Sequence, residues 1–158
     1  MTGIDKLDIE HARFVEARDA LHEALLQSQA GSPWIVSVCG PSRVGKTRVI
    51  DSCVEVYGEC GGLSGKEILR VVSPKYLTGR ALPDACLESL GLRAAFYKNQ
   101  LQATQALVKA LARAETKLII FDETQHMIER SGSTSVRAAG DFLKTLFDEA
   151  RTSIALVG

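Results

Sequence analysis

No apolar run in this sequence approaches the roughly 20 residues that a membrane-spanning helix needs. The first 30 residues carry six acidic against three basic side chains, so they resemble no signal or transit peptide. We therefore expect a soluble, cytoplasmic protein with no membrane partner.

Cysteine pairs at metal-binding or redox spacing are also missing. The four cysteines form no C-x-x-C pair and are too sparse for a disulfide scaffold. They are Cys39, Cys53, Cys60 and Cys86. We expect each to be a reduced thiol that behaves as a small buried apolar residue.

An excess of one charge sign is absent too. The chain has 19 basic and 19 acidic residues, so any contact with nucleic acid must come from a local patch and not from a generally basic surface. Hydrophobic residues make up 46% of the 158 positions, which is enough for one globular domain with a core but short for two.

Helical and strand patterns alternate along the chain. Strands are predicted at 34–39, 68–72, 117–121 and 154–158. Helices are predicted at 5–29, from the glycine-rich loop to about 57, at 83–90, around 101–111 and at 136–151. A polar loop is predicted at 131–135. The alternation predicts an α/β fold with a mainly parallel sheet flanked by helices, and loops with functional residues at the carboxyl ends of the strands. We assign 1–31 to an amphipathic helical segment packed on a core of 32–158, and expect the first strand to be buried on both faces.

Residues 40–47 read G-P-S-R-V-G-K-T and match the phosphate-binding loop G-x-x-x-x-G-K-[ST]. Gly40 and Gly45 allow a tight turn, so that backbone N–H groups and a helix N-terminus face a phosphate. Lys46 is predicted to reach the β- and γ-phosphates, and Thr47 to give its hydroxyl to Mg²⁺. The other predicted nucleotide-binding residues are Pro41, Ser42, Arg43, Val44 and Arg48. The flanking strand and helix patterns favour this interpretation over a chance glycine turn.

Two adjacent carboxylates, Asp122 and Glu123, end the third strand, near the phosphate loop if the sheet is parallel. Asp122 is predicted to hold Mg²⁺, and Glu123 to act as the general base for the attacking water, with Lys46 as the second catalytic residue. The expected cofactors are ATP and Mg²⁺. A solvated acidic turn that caps a helix is the alternative, and the phosphate loop argues against it.

The order strand, GPSRVGKT, helix, then LIIFDETQHM and a last strand ending in ALVG resembles the AAA+ ATPases of transposons of the TniB and TnsC type, with IstB-like relatives. The resemblance covers roughly 34–158 and is most specific at 122–126, which is similar to the D-E-x-Q-H stretch of TniB-like sequences. It implies a P-loop NTPase core of the AAA+ and ASCE type. It also implies an ATP-hydrolysing regulator of transposition that forms a ring or filament on double-stranded DNA without strong sequence preference, and that recruits transposase and works with target-selection proteins.

The same resemblance implies DNA contacts from two loops. They are Lys75, Thr78 and Arg80 in the first loop, and Lys98 and Asn99 in the second. Cations and small polar donors suit contact with DNA phosphates, whereas ordinary solvated loop charge is the alternative. Gln125 and His126 either pack beside the site or couple the γ-phosphate to DNA or subunit contacts.

The sequence departs from the family pattern after Gly158. The resemblance implies a polar sensor residue, a fifth strand, a helical lid with a second sensor and an arginine finger, none of which is identifiable in these residues. We therefore expect a truncated core that leaves the phosphate-loop strand at the sheet edge, binds nucleotide weakly and hydrolyses little of it.

Two other function classes remain open. One is a nucleotide-dependent interaction switch, a signalling-type P-loop ATPase without a DNA role. The other is a P-loop kinase for a small molecule, which the lack of a recognisable acceptor site disfavours. By comparison between families, Glu123 also argues against a kinase, because ATPases that activate water carry this second acid.

Overall fold

The computed structural model describes residues 12–40, 45–61, 67–129 and 132–158. Its first helix, α1 (Ala12–Gln29), buries Leu21, Ala24 and Leu25 on one side, as the amphipathic pattern predicts. The helix ends where Gly31 adopts a φ of 87°, a left-handed conformation that glycine takes without steric cost. The predicted part of this helix before Ala12 lies outside the described residues.

Four parallel strands form one sheet in the order β1-β4-β3-β2. They are β1 (Ile35–Val38), β2 (Ile68–Val72), β3 (Leu118–Asp122) and β4 (Ser153–Val157). The bounds of each strand agree with the predicted bounds to within one residue, and β3 is buried along its whole length. The prediction of a parallel α/β sheet is confirmed.

The remaining helices are α2 (Lys46–Gly61), α3 (Ala81–Ser89), α4 (Gln100–Ala114), α5 (His126–Glu129) and α6 (Ser133–Ala150), with a 3₁₀ turn at Ala94–Phe96. Helices α1 and α2 pack on one face of the sheet, and α3, α4 and α6 pack on the other. The result is a three-layer α/β/α domain. No helix within the described ranges combines the length and apolar character needed to cross a bilayer.

Strand β1 shows that one expectation was wrong. It is not buried on both faces: Ile35 is 53% exposed, and only Val36 and Val38 pack against the core beneath α1 and α2. The reason is its place in the sheet, since among the described strands β1 pairs only with β4 and so lies at the edge. The edge position itself is the one that the family resemblance implied.

Two further expectations need correction. The predicted polar loop at 131–135 is partly helix, because α6 begins at Ser133. Small polar residues suit a first helical turn, whose N–H groups have no partner within the helix.

The expectation that every cysteine is buried is wrong for Cys39, which is exposed because it follows the edge strand. Burial raises the pKa of Cys86 and raises that of Cys53 to about 11. The side chain of Cys60 lies outside the described residues.

Candidate functional site

Backbone hydrogen bonds join the carboxyl ends of three strands. The N–H of Gly158, after β4, donates to the Val38 carbonyl at 3.0 Å, and the Gly40 N–H donates to the Gly158 carbonyl at 3.4 Å. On the other side of β4, the Thr124 N–H donates to the Val157 carbonyl at 3.0 Å. The start of the phosphate loop and the segment after β3 are thereby held at fixed positions on either side of β4.

A cavity of about 450 Å³ lies at this edge of the sheet, a volume that is typical of small-molecule sites. Its lining residues are Gly45, Lys46, Thr47, Asp122, Glu123, Gln125 and Gly158. The structure therefore brings the two predicted motifs to one cavity, although they are 75 positions apart when counted from Thr47 to Asp122. Pro41, Ser42, Arg43 and Val44 lie outside the described residues, and Arg48 is an exposed residue of α2 that is not among the lining residues.

Gly45 sets the direction in which α2 starts. Its φ of 88° lies in the left-handed region, and its carbonyl accepts the N–H of Val49 at 3.1 Å in the first turn. Lys46 and Thr47 are thus the first two residues of the helix, and the N–H groups of a first helical turn attract anions. The Lys46 ammonium donates to the Gly40 carbonyl at 2.7 Å, which holds the side chain across the loop.

Asp122 is held by hydrogen bonds at both carboxylate oxygens. Its side chain is only 7% exposed. Oδ1 accepts the Glu123 N–H at 2.9 Å, and Oδ2 accepts Nη2 of Arg70 at 2.9 Å. A buried carboxylate needs such partners, so its orientation toward the cavity is fixed.

Arg70 was not among the predicted site residues. Its environment is partly desolvated, which lowers its pKa, but the carboxylates of Asp122 and Asp51 outweigh this and hold the pKa above its ordinary value. A signal was present in the sequence: β2 reads I-L-R-V-V, and an arginine in the middle of a short apolar strand needs a charged partner.

Glu123 follows Asp122 with a φ of 58°, a left-handed conformation that costs a residue other than glycine about 1 kcal/mol or more. Its side chain is 43% exposed, and Glu123 lines the cavity. Nε2 of Gln125 donates to Glu123 Oε2, and Nε2 of His126 lies 3.8 Å from the same oxygen. Within the D-E-T-Q-H stretch, the last two side chains therefore both lie close to the Glu123 carboxylate.

A family model described as Bacterial TniB protein matches residues 5–158, almost the whole chain and both motifs. The chain belongs to the TniB family. No curated protein sequence matches it.

Solved structures show that the TniB chain shares its fold with proteins described as ORC1, ORC2 and ORC. The Aeropyrum pernix ORC2 protein, solved as ADPNP-ADP complexes, is 19% identical with a TM-score of 0.63, and the match covers 94% of this chain and 41% of that one. The A. pernix ORC1 protein in complex with DNA is 21% identical with a TM-score of 0.63, over 95% and 39% of the two chains. Drosophila ORC bound to GC-rich DNA and Cdc6 is 14% identical with a TM-score of 0.54, over 92% and 47%.

At these identities the likeness is one of fold, and the chain spans less than half the length of the structures it matches. The fold is the P-loop NTPase core of the AAA+ type, as the family resemblance implied.

The chemistry of the TniB site fits Mg²⁺ and a nucleotide. Thr47 and Asp122 line one cavity and offer hydroxyl and carboxylate oxygens, which are the ligands that Mg²⁺ prefers. The described residues contain no cluster of three or more His, Cys, Asp or Glu side chains that could hold a metal ion by themselves. Mg²⁺ needs no such cluster, because it keeps several waters and takes its other ligands from one or two protein oxygens and from substrate phosphates.

The two loops predicted to contact DNA lie side by side. The Arg80 guanidinium donates to Asp84 Oδ1 at 3.0 Å, to the Ala94 carbonyl at 2.9 Å and to the Tyr97 carbonyl. Arg80 thus hydrogen-bonds to other parts of the protein and joins the first loop to the chain just before the second. Lys75, Thr78, Lys98 and Asn99 are exposed, although Asn99 also caps α4 by accepting the Gln102 N–H at 2.9 Å. Contact of these residues with DNA stays a prediction.

Proposed function

We propose that this TniB-family chain binds ATP with Mg²⁺ in the cavity at the carboxyl ends of β1, β3 and β4, and that the whole protein hydrolyses ATP. The proposal rests on one observation: Lys46, Thr47, Asp122 and Glu123 all line the same cavity. An ammonium, a helix start, a hydroxyl and two carboxylates are the groups that phosphoryl transfer to water requires.

Each residue has a distinct role in this proposal. The N–H groups at the start of α2 and the Lys46 ammonium bind the phosphates, and Thr47 and Asp122 hold Mg²⁺, which offsets the negative charge of the phosphates when bound. Glu123 orients the attacking water and accepts its proton. The Gln125 amide holds the Glu123 carboxylate in place, and the exposure of Glu123 lets water reach it.

We extend the proposal to DNA. Lys75 and Lys98 are exposed cations on neighbouring loops, and two such loops can contact DNA phosphates without reading bases. The A. pernix ORC1 protein of the same fold was solved in complex with DNA, which supports DNA binding by this fold.

Membership of the TniB family supports a role in transposition in the cytoplasm. In this role the protein assembles as a ring or filament on duplex DNA, and it recruits transposase together with target-selection proteins.

One observation favours a second candidate function, a nucleotide-dependent switch with slow turnover and no DNA role. Oε2 of Glu123, the carboxylate proposed as the base, already accepts a hydrogen bond from the Gln125 amide, so this oxygen is less available to an attacking water. Both candidates require nucleotide binding, and they differ in whether DNA is bound.

The experiment that separates the candidates is co-sedimentation of the whole protein with two duplex DNAs of unrelated sequence, at low salt, with ATP and Mg²⁺ or with EDTA. The proposal predicts association with both duplexes that requires nucleotide and that is lost in Lys46→Ala. A steep loss with added salt is expected because the contacts are to phosphates. Failure to bind either duplex, in protein shown to bind ATP, would leave the switch as the better account.

A further inference from the structure

Arg70 connects three elements around the proposed nucleotide site. From the middle of β2 its Nη2 reaches Asp122 Oδ2 on β3 at 2.9 Å, and its Nη1 reaches Asp51 Oδ1 on α2 at 2.8 Å. Asp51 is one helical turn after Thr47, so it lies on the same side of α2 as the proposed Mg²⁺ ligand. The guanidinium therefore links the two elements that would share the metal.

The guanidinium supplies a positive charge beside a carboxylate that has little access to water. Asp122 is 7% exposed, and Arg70 remains protonated throughout the usual pH range. Without this partner, the ionised carboxylate would be poorly solvated in the absence of a cation. Two carboxylates and one guanidinium leave the cluster with one net negative charge.

The same charge opposes the arrival of a divalent cation. A guanidinium bonded to Asp122 Oδ2 repels Mg²⁺ at close range and occupies one of the carboxylate oxygens. Arg70 has a second acceptor in Asp51, which is 53% exposed, so it can stay paired when Asp122 binds a metal. The exchange of partners needs only a small movement of a long side chain.

We propose that Arg70 is a built-in counter-ion that competes with Mg²⁺ for Asp122 and thereby sets the Mg²⁺ concentration at which this chain binds nucleotide tightly. The role rests on the proposed function, because it assumes ATP and Mg²⁺ in this cavity. Arg70 is a positioning residue, since it acts through Asp122.

The test compares variants by their Mg²⁺ requirement. Binding of a fluorescent ATP analogue is titrated over a series of Mg²⁺ concentrations and in EDTA. In Arg70→Gln, which keeps hydrogen-bonding groups but no charge, the Mg²⁺ concentration for half-maximal affinity should fall by about threefold or more, with affinity in EDTA little changed. Arg70→Lys should raise the requirement again relative to Arg70→Gln, because it restores the charge, although a single ammonium lacks the two guanidinium nitrogens that bond Asp122 and Asp51.

Asp51→Asn tests the opposite change, because it weakens the second acceptor and leaves Arg70 in place. With its second acceptor weakened, Arg70 should bond more fully to Asp122, so the Mg²⁺ requirement should rise. Arg113→Gln removes the same charge from the exposed side of α4 and serves as the control, with an unchanged requirement expected. Circular dichroism melting establishes that each variant is folded.

An unchanged or higher Mg²⁺ requirement in folded Arg70→Gln would overturn the proposal. So would an equal loss of affinity with Mg²⁺ and with EDTA, since that is the result of a purely structural role. If the original chain bound no nucleotide at any Mg²⁺ concentration, the proposed function itself would fail. The Arg70 role would then be judged by Mn²⁺ binding to nucleotide-free protein, followed by water proton relaxation: tighter binding in Arg70→Gln supports it, and equal or weaker binding refutes it.

Discussion

The side-chain amide of Gln125 donates a hydrogen bond to the carboxylate of Glu123, two residues before it in the same loop. Glu123 has a left-handed backbone at φ 58°, and the next residue of the motif, His126, places Nε2 3.8 Å from the same carboxylate oxygen. The proposed general base is therefore oriented by the residues that follow it.

This relationship predicts different effects of two substitutions in the whole protein. Glu123→Gln removes the base and should lower kcat for ATP hydrolysis by about a hundredfold or more, while ATP affinity stays the same. Gln125→Ala leaves the base but frees its carboxylate, and should lower kcat by about tenfold. Phosphate release and binding of a fluorescent ATP analogue measure the two quantities. Normal hydrolysis by Glu123→Gln would show that the base is a different group.

The left-handed conformation of Gly45 predicts a loss of stability on substitution. Gly45→Ala places a Cβ at φ 88° and should lower the free energy of unfolding by about 1 to 2 kcal/mol, as measured by urea denaturation. Gly140→Ala is the matched control, because Gly140 is exposed within α6 and a Cβ there meets no atom within 4 Å. It should raise the free energy of unfolding by about 0.5 to 1 kcal/mol. Equal effects of the two substitutions would contradict the assigned backbone conformation.

Arg80 was predicted to contact DNA, and its contacts in the structure predict an additional effect on stability. Arg80→Ala removes the bonds to Asp84 and to two carbonyls of the neighbouring loop, and should lower the free energy of unfolding by about 1 to 3 kcal/mol. Lys98→Ala, on the exposed surface of that loop, should change it by less than about 0.5 kcal/mol. Urea denaturation distinguishes the two. If both variants were as stable as the original chain, Arg80 would not be what joins the loops.

The exposed lysines on these loops predict a change in the salt dependence of DNA binding. A Lys75→Ala, Lys98→Ala double variant of the whole protein should bind duplex DNA more weakly, and the slope of log affinity against log salt should become shallower by about 2. Fluorescence anisotropy at several salt concentrations gives the slope. The matched control is Lys109→Ala, Arg113→Ala on α4, which should leave the slope unchanged. An unaltered slope in the first variant would place the DNA contacts elsewhere.

Much of the fold could be predicted because local patterns were strong. The second strand, 68–72, has the bounds that the apolar run between a glycine-rich stretch and Ser73-Pro74 predicted. The meeting of Thr47 and Asp122 at one cavity also followed from sequence, since the carboxyl ends of parallel strands share one edge.

Other features depend on contacts between distant segments, so no local pattern predicts them. The pairing of Arg70 with Asp122 requires β2 to lie beside β3 in the observed register, and its bond to Asp51 requires α2 to pack close by. The inward orientation of Arg80 arises because the chain at 94–97 returns beside it. The exposure of Ile35 reflects strand order, because an apolar run does not reveal whether a strand has one neighbour or two.

The most direct test of the nucleotide site is isothermal titration of this 158-residue chain with ATP and Mg²⁺, beside its Lys46→Ala and Lys109→Ala variants. We predict saturable binding by the original chain and by Lys109→Ala, and an affinity at least about tenfold weaker in Lys46→Ala, because an ammonium that contacts phosphate is lost. Binding of equal strength in Lys46→Ala, or no binding by the original chain, would contradict the account.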